Sequence, residues 1–403
     1  MNGNDQQLQL KSCRVEKVKG FIKILLREIK RILSSKDLII ICLLAPFIYS
    51  YGLSYIYHKQ VPKDIKISIV DQDNSSVSRL YNRMLDTTPE LNINSYYSST
   101  HSAYEAIFKD ATDIFYFIPK DFSENLKRGK STFAFIGANA SNFMVSSSAI
   151  KTIVLTSQYL SAQILVKILI QHGIQKNTAV SMQQPIRTDF KWIFNPTKTY
   201  SNFFVPFILF AVFQQILIVA VCHTMSLETK EKTWKDLFKI SENKVLPVLF
   251  GKAIPYVFVA LFMVCLFVFL VFPFADIYNT SKINIFILST IYAFVIVFFA
   301  MAISHLFKSP VVSLCALTFY SMPVLLVSGF AWPLYMLPAY LKTASYVFPS
   351  TYFINTFRFY SLNDISLSYA TESIKELTIF FLVCLIINFI VVRKFAKQIW
   401  LKS

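Results

Sequence analysis

The chain has 403 residues, 54% of them hydrophobic, with 39 Phe, only eight Gly and a formal charge of +17. So few glycines exclude a collagenous or low-complexity chain. The positive balance asks for an anionic partner, and uncharged runs of membrane length make that partner a lipid bilayer rather than nucleic acid.

Residues 15–33 have the spacing of an amphipathic helix. Val18, Phe21, Ile22, Leu25, Leu26, Ile29, Ile32 and Leu33 recur on one side, and Lys19, Lys23, Arg27, Lys30 and Arg31 fill the other. Such a helix either anchors in the headgroup plane or contacts a partner. Ser34-x-x-Asp37 has the form of a capping box opening the next helix. Uncharged runs follow at 38–57, 199–227, 253–275, 283–307, 309–341 and 377–392. A span needs about 20 apolar residues. The first five runs reach that length directly, and the last does so with a snorkelling Arg393. The first is too long, and too far from the N-terminus, for a cleaved signal peptide.

Residues 58–198 alternate strand and helix signals. Strands are predicted at Ile65–Ile69, 91–97, Ile114–Ile118 and 133–136. Helices are predicted around Val77–Leu85, at 102–108 and 122–128, and from about Asn142 to Gly173. That order predicts a small α/β domain. The cysteines offer it no disulfide framework, because none lies there. "RGKST" at 128–132 lacks the first glycine of a phosphate loop, and "DQDNSS" at 71–76 lacks the Gly and Glu of a calcium loop. Asn74 and Asn279 open glycosylation sequons by pattern alone. Gln214 and Gln215 lie in the second run, where polar pairs more often bond another helix than a substrate.

Between the second and third runs lies "SLETKEKTWKDLFK", 226–239. Glu228–Lys232 and Glu231–Lys235 are i, i+4 pairs, and Leu227, Trp234 and Phe238 fall on one apolar face. The segment reads as a short amphipathic helix. The fifth run carries Pro310, Pro323, Pro333 and Pro338, with Pro349 beyond. Prolines break helices, so residues 329–357 read as broken helices dipping back near the membrane surface, or as a plain outer loop with Trp332 and Tyr335 at the interface.

The fold class expected is an α-helical membrane protein with six transmembrane helices and an α/β extracytoplasmic domain inserted between spans one and two. Six spans put both termini on one side. The segments on that side hold 20 Lys and Arg against 4 in the short opposite loops. Both termini and the 226–252 loop are therefore expected in the cytoplasm, with residues 58–200 outside and the five later spans in 201–403.

Two blocks of the chain resemble the ABC type-2 permeases, the membrane halves of ATP-binding-cassette exporters. The first is "LETKEKTWKDLFKISENKVLPVLFGKAIPY", matching the family at Leu227, Glu228, Glu231, Thr233, Leu237, Gly251, Lys252 and Pro255. It departs by one residue between the two glutamates, has Lys232 where the family has Gly, and lacks the usual Thr-Pro. The second is "SGFAWPLYMLPAYLKTASYVFPSTYFINTFRFY". It matches at Ser328, Gly329, Phe330, Pro333, Met336, Pro338, Pro349, Thr351, Tyr352, Phe353 and Arg358. A third, "IVDQDNSSVSR" with "IPKDFSENLKRG", is similar to the external domain of the longer members. The resemblance implies a multi-pass permease of the cell inner membrane, not itself an enzyme, that exports a small amphipathic, lipid-like or drug-like substrate. Glu228, Glu231, Thr233, Leu237, Gly251 and Lys252 would couple it to a separate ABC ATPase, which would hold the ATP and Mg. The second block would line the pathway. A second permease subunit, identical or a sister, completes the expected assembly, and a periplasmic adaptor is a further partner it admits. The alternative class is a membrane-anchored sensor whose external domain binds a ligand. An ion-driven transporter is disfavoured, because the uncharged runs contain no Asp or Glu.

Overall fold

The computed structural model describes residues 20–57, 63–183, 200–277, 281–330, 332–362 and 370–400. Cys13, Val18, Lys19 and Asn279 lie outside these residues. The chain divides into two compact units, Met1–His58 with Trp192–Ser403, and Lys59–Lys191.

The first unit is helical. It opens with α1 (residues 20–34). Ser35 then takes an extended conformation and starts α2 (Lys36–Ile56) without a side-chain cap, so the Ser34–Asp37 capping box does not form. The long helices that follow are α8 (Tyr200–Glu231), α10 (Val245–Phe274), α11 (Lys282–Ser304), α12 (Pro310–Val327) and α15 (Thr371–Trp400). Between them lie the short helices α9 (Trp234–Ile240), α13 (Ala339–Ser345) and α14 (Pro349–Leu362). The centre is α8 and α11, both mostly buried, and α11 packs along α8, α10 and α15. Aromatic rings fill it. Tyr292 stacks on Phe353 with centroids 4.0 Å apart, and Phe210 meets Phe357 edge-on at 4.6 Å. Each such pair adds about 0.5–1.5 kcal/mol beyond area burial. The fifth run breaks after Val327, as its prolines predict. A positive-φ Gly329, a single 3₁₀ turn at Leu334–Met336, and α13 and α14 follow.

The second unit is α/β. Strands β1 (Ile65–Asp71), β2 (Leu91–Tyr96), β3 (Ile114–Ile118) and β4 (Phe135–Ala138) form one sheet in the order β2-β1-β3-β4. The first three are mutually parallel and β4 runs antiparallel to β3. The helices are α3 (Ser76–Asp86), α4 (Thr100–Phe108), α5 (Phe122–Lys127), α6 (Phe143–Gln171) and α7 (Lys176–Gln183). "DQDNSS" works as a helix start: Asp71 Oδ1 accepts the amides of Asp73 and Asn74, and Ser75 caps α3 in a reciprocal box with Ser78. The core sets Ile67, Ile114 and Tyr116 of the sheet against Tyr81 and Leu85 of α3 and Ile153 of α6.

Among the described residues, seven helices are long and apolar enough to cross a membrane. Six of them correspond to the runs expected from sequence, and the seventh is α6.

Candidate coupling site

The charged stretch does not fold as one helix. α8 ends at Glu231, and Lys232 takes φ +58, a left-handed conformation. The Thr233 amide then donates to the Glu228 carbonyl at 3.1 Å, closing a Schellman motif. Glycine is favoured at such a position because a Cβ costs energy there. The family's usual glycine thus has a structural reason, and Lys232 adopts the same conformation with a side chain. This break separates the two expected i, i+4 pairs, and neither Glu228–Lys232 nor Glu231–Lys235 forms a salt bridge.

Glu228 turns inward and is 0% exposed. Arg27 of α1 grips it with two bonds, Nη1 to Oε1 at 3.1 Å and Nη2 to Oε2 at 3.2 Å. Arg31 Nη1 also donates to Oε1, and its Nη2 reaches Glu231 Oε2 at 3.0 Å. From α10, Lys252 Nζ lies 3.1 Å from Glu228 Oε1 and 2.6 Å from Glu28 Oε1 of α1. The Thr233 hydroxyl donates to Glu228 Oε2. Three cations therefore meet three carboxylates, and Lys252 and Glu28 are 1% and 0% exposed. The cations have a second role. A helix C-terminus carries a partial negative charge, so Glu228 and Glu231 at the end of α8 need positive neighbours.

Gly251 makes the closeness possible. A Cβ there would stand 2.8 Å from Ile24 Cγ2 of α1. At the other contact, a Cβ on Gly20 would stand 2.8 Å from the Ile240 carbonyl at the end of α9. α1 is thus held by α8, α9 and α10 together. Ile24, Glu28 and Ile32 face inward, while Ile22, Leu26 and Leu33 remain exposed. The sequence puts Arg27 and Arg31 on a basic face that would either meet lipid headgroups or contact a partner. They turn onto protein because Glu228 sits within their reach.

On α9, Trp234, Leu237 and Phe238 are buried, with Trp234 stacked on Phe395 of α15 at 5.6 Å. Leu237 therefore serves packing. Lys235, Asp236 and Lys239 form the exposed face. Glu28 is the site residue that sequence reasoning missed. Its signal was a lone carboxylate four residues from both Ile24 and Ile32 on a helix of otherwise basic charges.

The second block lies elsewhere in the same unit. Ser328, Phe330 and Phe353 are buried, and Phe330 packs on Phe207 at 5.4 Å. Met336 is exposed, and Pro333 and Pro338 flank the 3₁₀ turn and open α13. Pro349 opens α14. The Tyr352 hydroxyl donates to the Tyr346 carbonyl at 2.8 Å, and that of Thr351 to the Ser345 carbonyl at 2.6 Å. Arg358 is on α14, and its side chain lies outside the described residues. Ser328 and Phe353 help line a cavity of about 260 Å³ between α8, α11, α12 and α14, with Gln214, Tyr292 and Ser350. Gln214 accepts from the Tyr292 hydroxyl, and Gln215 donates to the Leu317 carbonyl at 2.9 Å, so both glutamines bond neighbouring helices.

A bundle of apolar helices, with a buried ion cluster where its short connecting helix emerges, defines a multi-pass membrane protein. Residues 36–390 match the ABC-2 family transporter proteins, and the chain belongs to that family. A search of curated proteins returns no match. Membership makes it the membrane subunit of a transporter that works with an ABC ATPase subunit.

Proposed function

We propose that this chain is the permease of an ATP-driven exporter, carrying a small amphipathic, lipid-like or drug-like substrate outward across the cell inner membrane. ATP and Mg are bound by the partner ATPase. Two permease chains, identical or sister, form the pathway with two ATPases. The carrying observation is the buried cluster that ties Arg27, Glu28 and Arg31 of α1 to Glu228 of α8 and Lys252 of α10. Helices joined by buried charge pairs move as one body, because separating the ions exposes unpaired charge in low dielectric. A push on the exposed face of α9 then reaches α8 through Thr233 and α1 through Gly20. Among the described residues, the cavity beside Gln214, Tyr292 and Ser350 is the candidate path. It joins polar groups to an aromatic wall, which suits an amphipathic substrate.

The test separates docking from transmission. Lys235→Glu with Lys239→Glu alters only exposed residues of α9 and is expected to abolish co-purification of the ATPase. Glu228→Gln is expected to keep the ATPase bound while substrate-stimulated ATP hydrolysis and export fall at least tenfold. If both variants export at the wild-type rate, the coupling role is wrong.

A further inference from the structure

A second cavity in the first unit adjoins the first block, beside Gly251 and α1, and is distinct from the one that Gln214 and Tyr292 line. It measures about 1000 Å³ and lies between the start of α10 and the end of α15, with Phe21 of α1 at one side. Val245, Leu246, Pro247, Phe250 and Phe389 are its apolar lining. Lys244, Arg393 and Lys397 are its basic lining. Lys244 is paired with Glu242. Arg393 and Lys397 have no ion-pair partner among the described residues.

Three features converge. First, α10 begins and α15 ends here, and both are long and apolar enough to span, which puts the cleft at the ends of two spans, near headgroup depth. Second, Arg393 and Lys397 are one helical turn apart. Like charges at that spacing repel and are destabilising unless an anion lies between them. Third, the lining joins apolar side chains to basic ones, so a ligand that satisfies both is apolar at one end and anionic at the other. Basic pockets between transmembrane helices bind acidic lipid headgroups by this combination. The N-terminal residues of the chain do not complement the basic lining, because 1–19 carry Lys11, Arg14, Lys17 and Lys19 against Asp5 and Glu16.

We infer that this cleft is a binding site for an anionic phospholipid. Its acyl chains lie against Phe250 and Phe389, and its phosphate bridges Arg393 and Lys397. The site is separate from the proposed transport path, and the inference does not depend on which substrate is moved.

The experiment uses the full-length chain in nanodiscs of phosphatidylcholine with or without phosphatidylglycerol of identical acyl chains, and counts retained lipid by native mass spectrometry. The wild type is expected to retain phosphatidylglycerol over phosphatidylcholine by about tenfold or more, given two basic groups on one headgroup. The double variant Arg393→Gln, Lys397→Gln changes only exposed residues, so it should fold and lose that preference. Leu246→Trp fills the cleft and should reduce retention of both lipids alike. Equal retention of the two lipids by the wild type overturns the inference, as does an unchanged preference in the double variant. Loss of ATPase co-purification in the double variant, with lipid preference intact, also overturns it and assigns the cleft to the protein partner.

Discussion

Lys252 is a primary amine with almost no access to water, held 2.6 Å from Glu28 and 3.1 Å from Glu228. Removing one partner of a buried ion pair costs about 3–5 kcal/mol, because the other charge is left uncompensated. Among the described residues Glu28 has this ammonium as its one ion-pair partner and its Oε2 is buried without a partner, while Glu228 keeps Arg27 and Arg31. Lys252→Met is therefore expected to lower stability by about that much, read as a drop in the thermal midpoint in detergent. Wild-type stability in this variant would show that the cluster is not held by Lys252. Lys232 offers the opposite sign. Its φ of +58 is strained for any L side chain, so Lys232→Gly is expected to stabilise by about 1 kcal/mol. An unchanged or lowered midpoint would mean the lysine side chain makes a compensating contact. The family pattern marked Lys232 as irregular, but only the backbone shows why a glycine belongs there. Glu28 was legible only as a lone carboxylate on a basic helix, with nothing to name its partner. A single carboxylate among arginines looks like surface until a lysine 224 positions away is brought against it.

At the scale of elements, α1 is where sequence and structure part most. Its period is plain in the residues, but an amphipathic pattern does not say whether the polar face meets water or another helix. Two of its arginines meet a carboxylate some 200 positions away, and no local pattern carries that information. The spans, the four strands and the break after Val327 were legible, because each is fixed by local hydropathy, alternation or proline. The helix from 226 to 239 was misread as continuous, since charge spacing alone did not reveal the left-handed residue inside it. Gly251 gives the element-scale test. Leu at this position would place a side chain where Ile24 Cγ2 now packs, forcing α1 off α10. Gly251→Leu should expose the α1–α10 seam to protease and uncouple ATP hydrolysis from export, while Gly251→Ala should do so weakly. Full protection of α1 in the leucine variant would show that the helix is held by its ion pairs alone.

At the scale of the whole molecule, α6 is the seventh helix among the described residues with the length and apolarity of a span. The ion pairs bear on it through connectivity. α1 precedes α2, and its Arg27 and Arg31 meet Glu228 at the far end of α8. The start of α2 and the end of α8 therefore lie on the same membrane face, and the chain between them crosses an even number of times. α2 and α8 already supply two crossings, so a single additional passage by α6 would put Glu228 on the wrong side. The six crossings expected from sequence satisfy this parity, and α6 packs in the core of the α/β unit through Ala149, Ile153 and Leu160. Together with the excess of basic residues near the termini, it leads to the expectation of cytoplasmic termini, which labelling can test. On a cysteine-free background, Glu124→Cys before α6 and Lys176→Cys after it should both react with an impermeant maleimide from outside intact cells. Lys235→Cys on α9 should react only after the membrane is opened. If Lys176→Cys instead behaves like Lys235→Cys while Glu124→Cys labels from outside, α6 crosses the bilayer. The count then becomes seven, and the contact between α1 and the end of α8 cannot exist in the membrane.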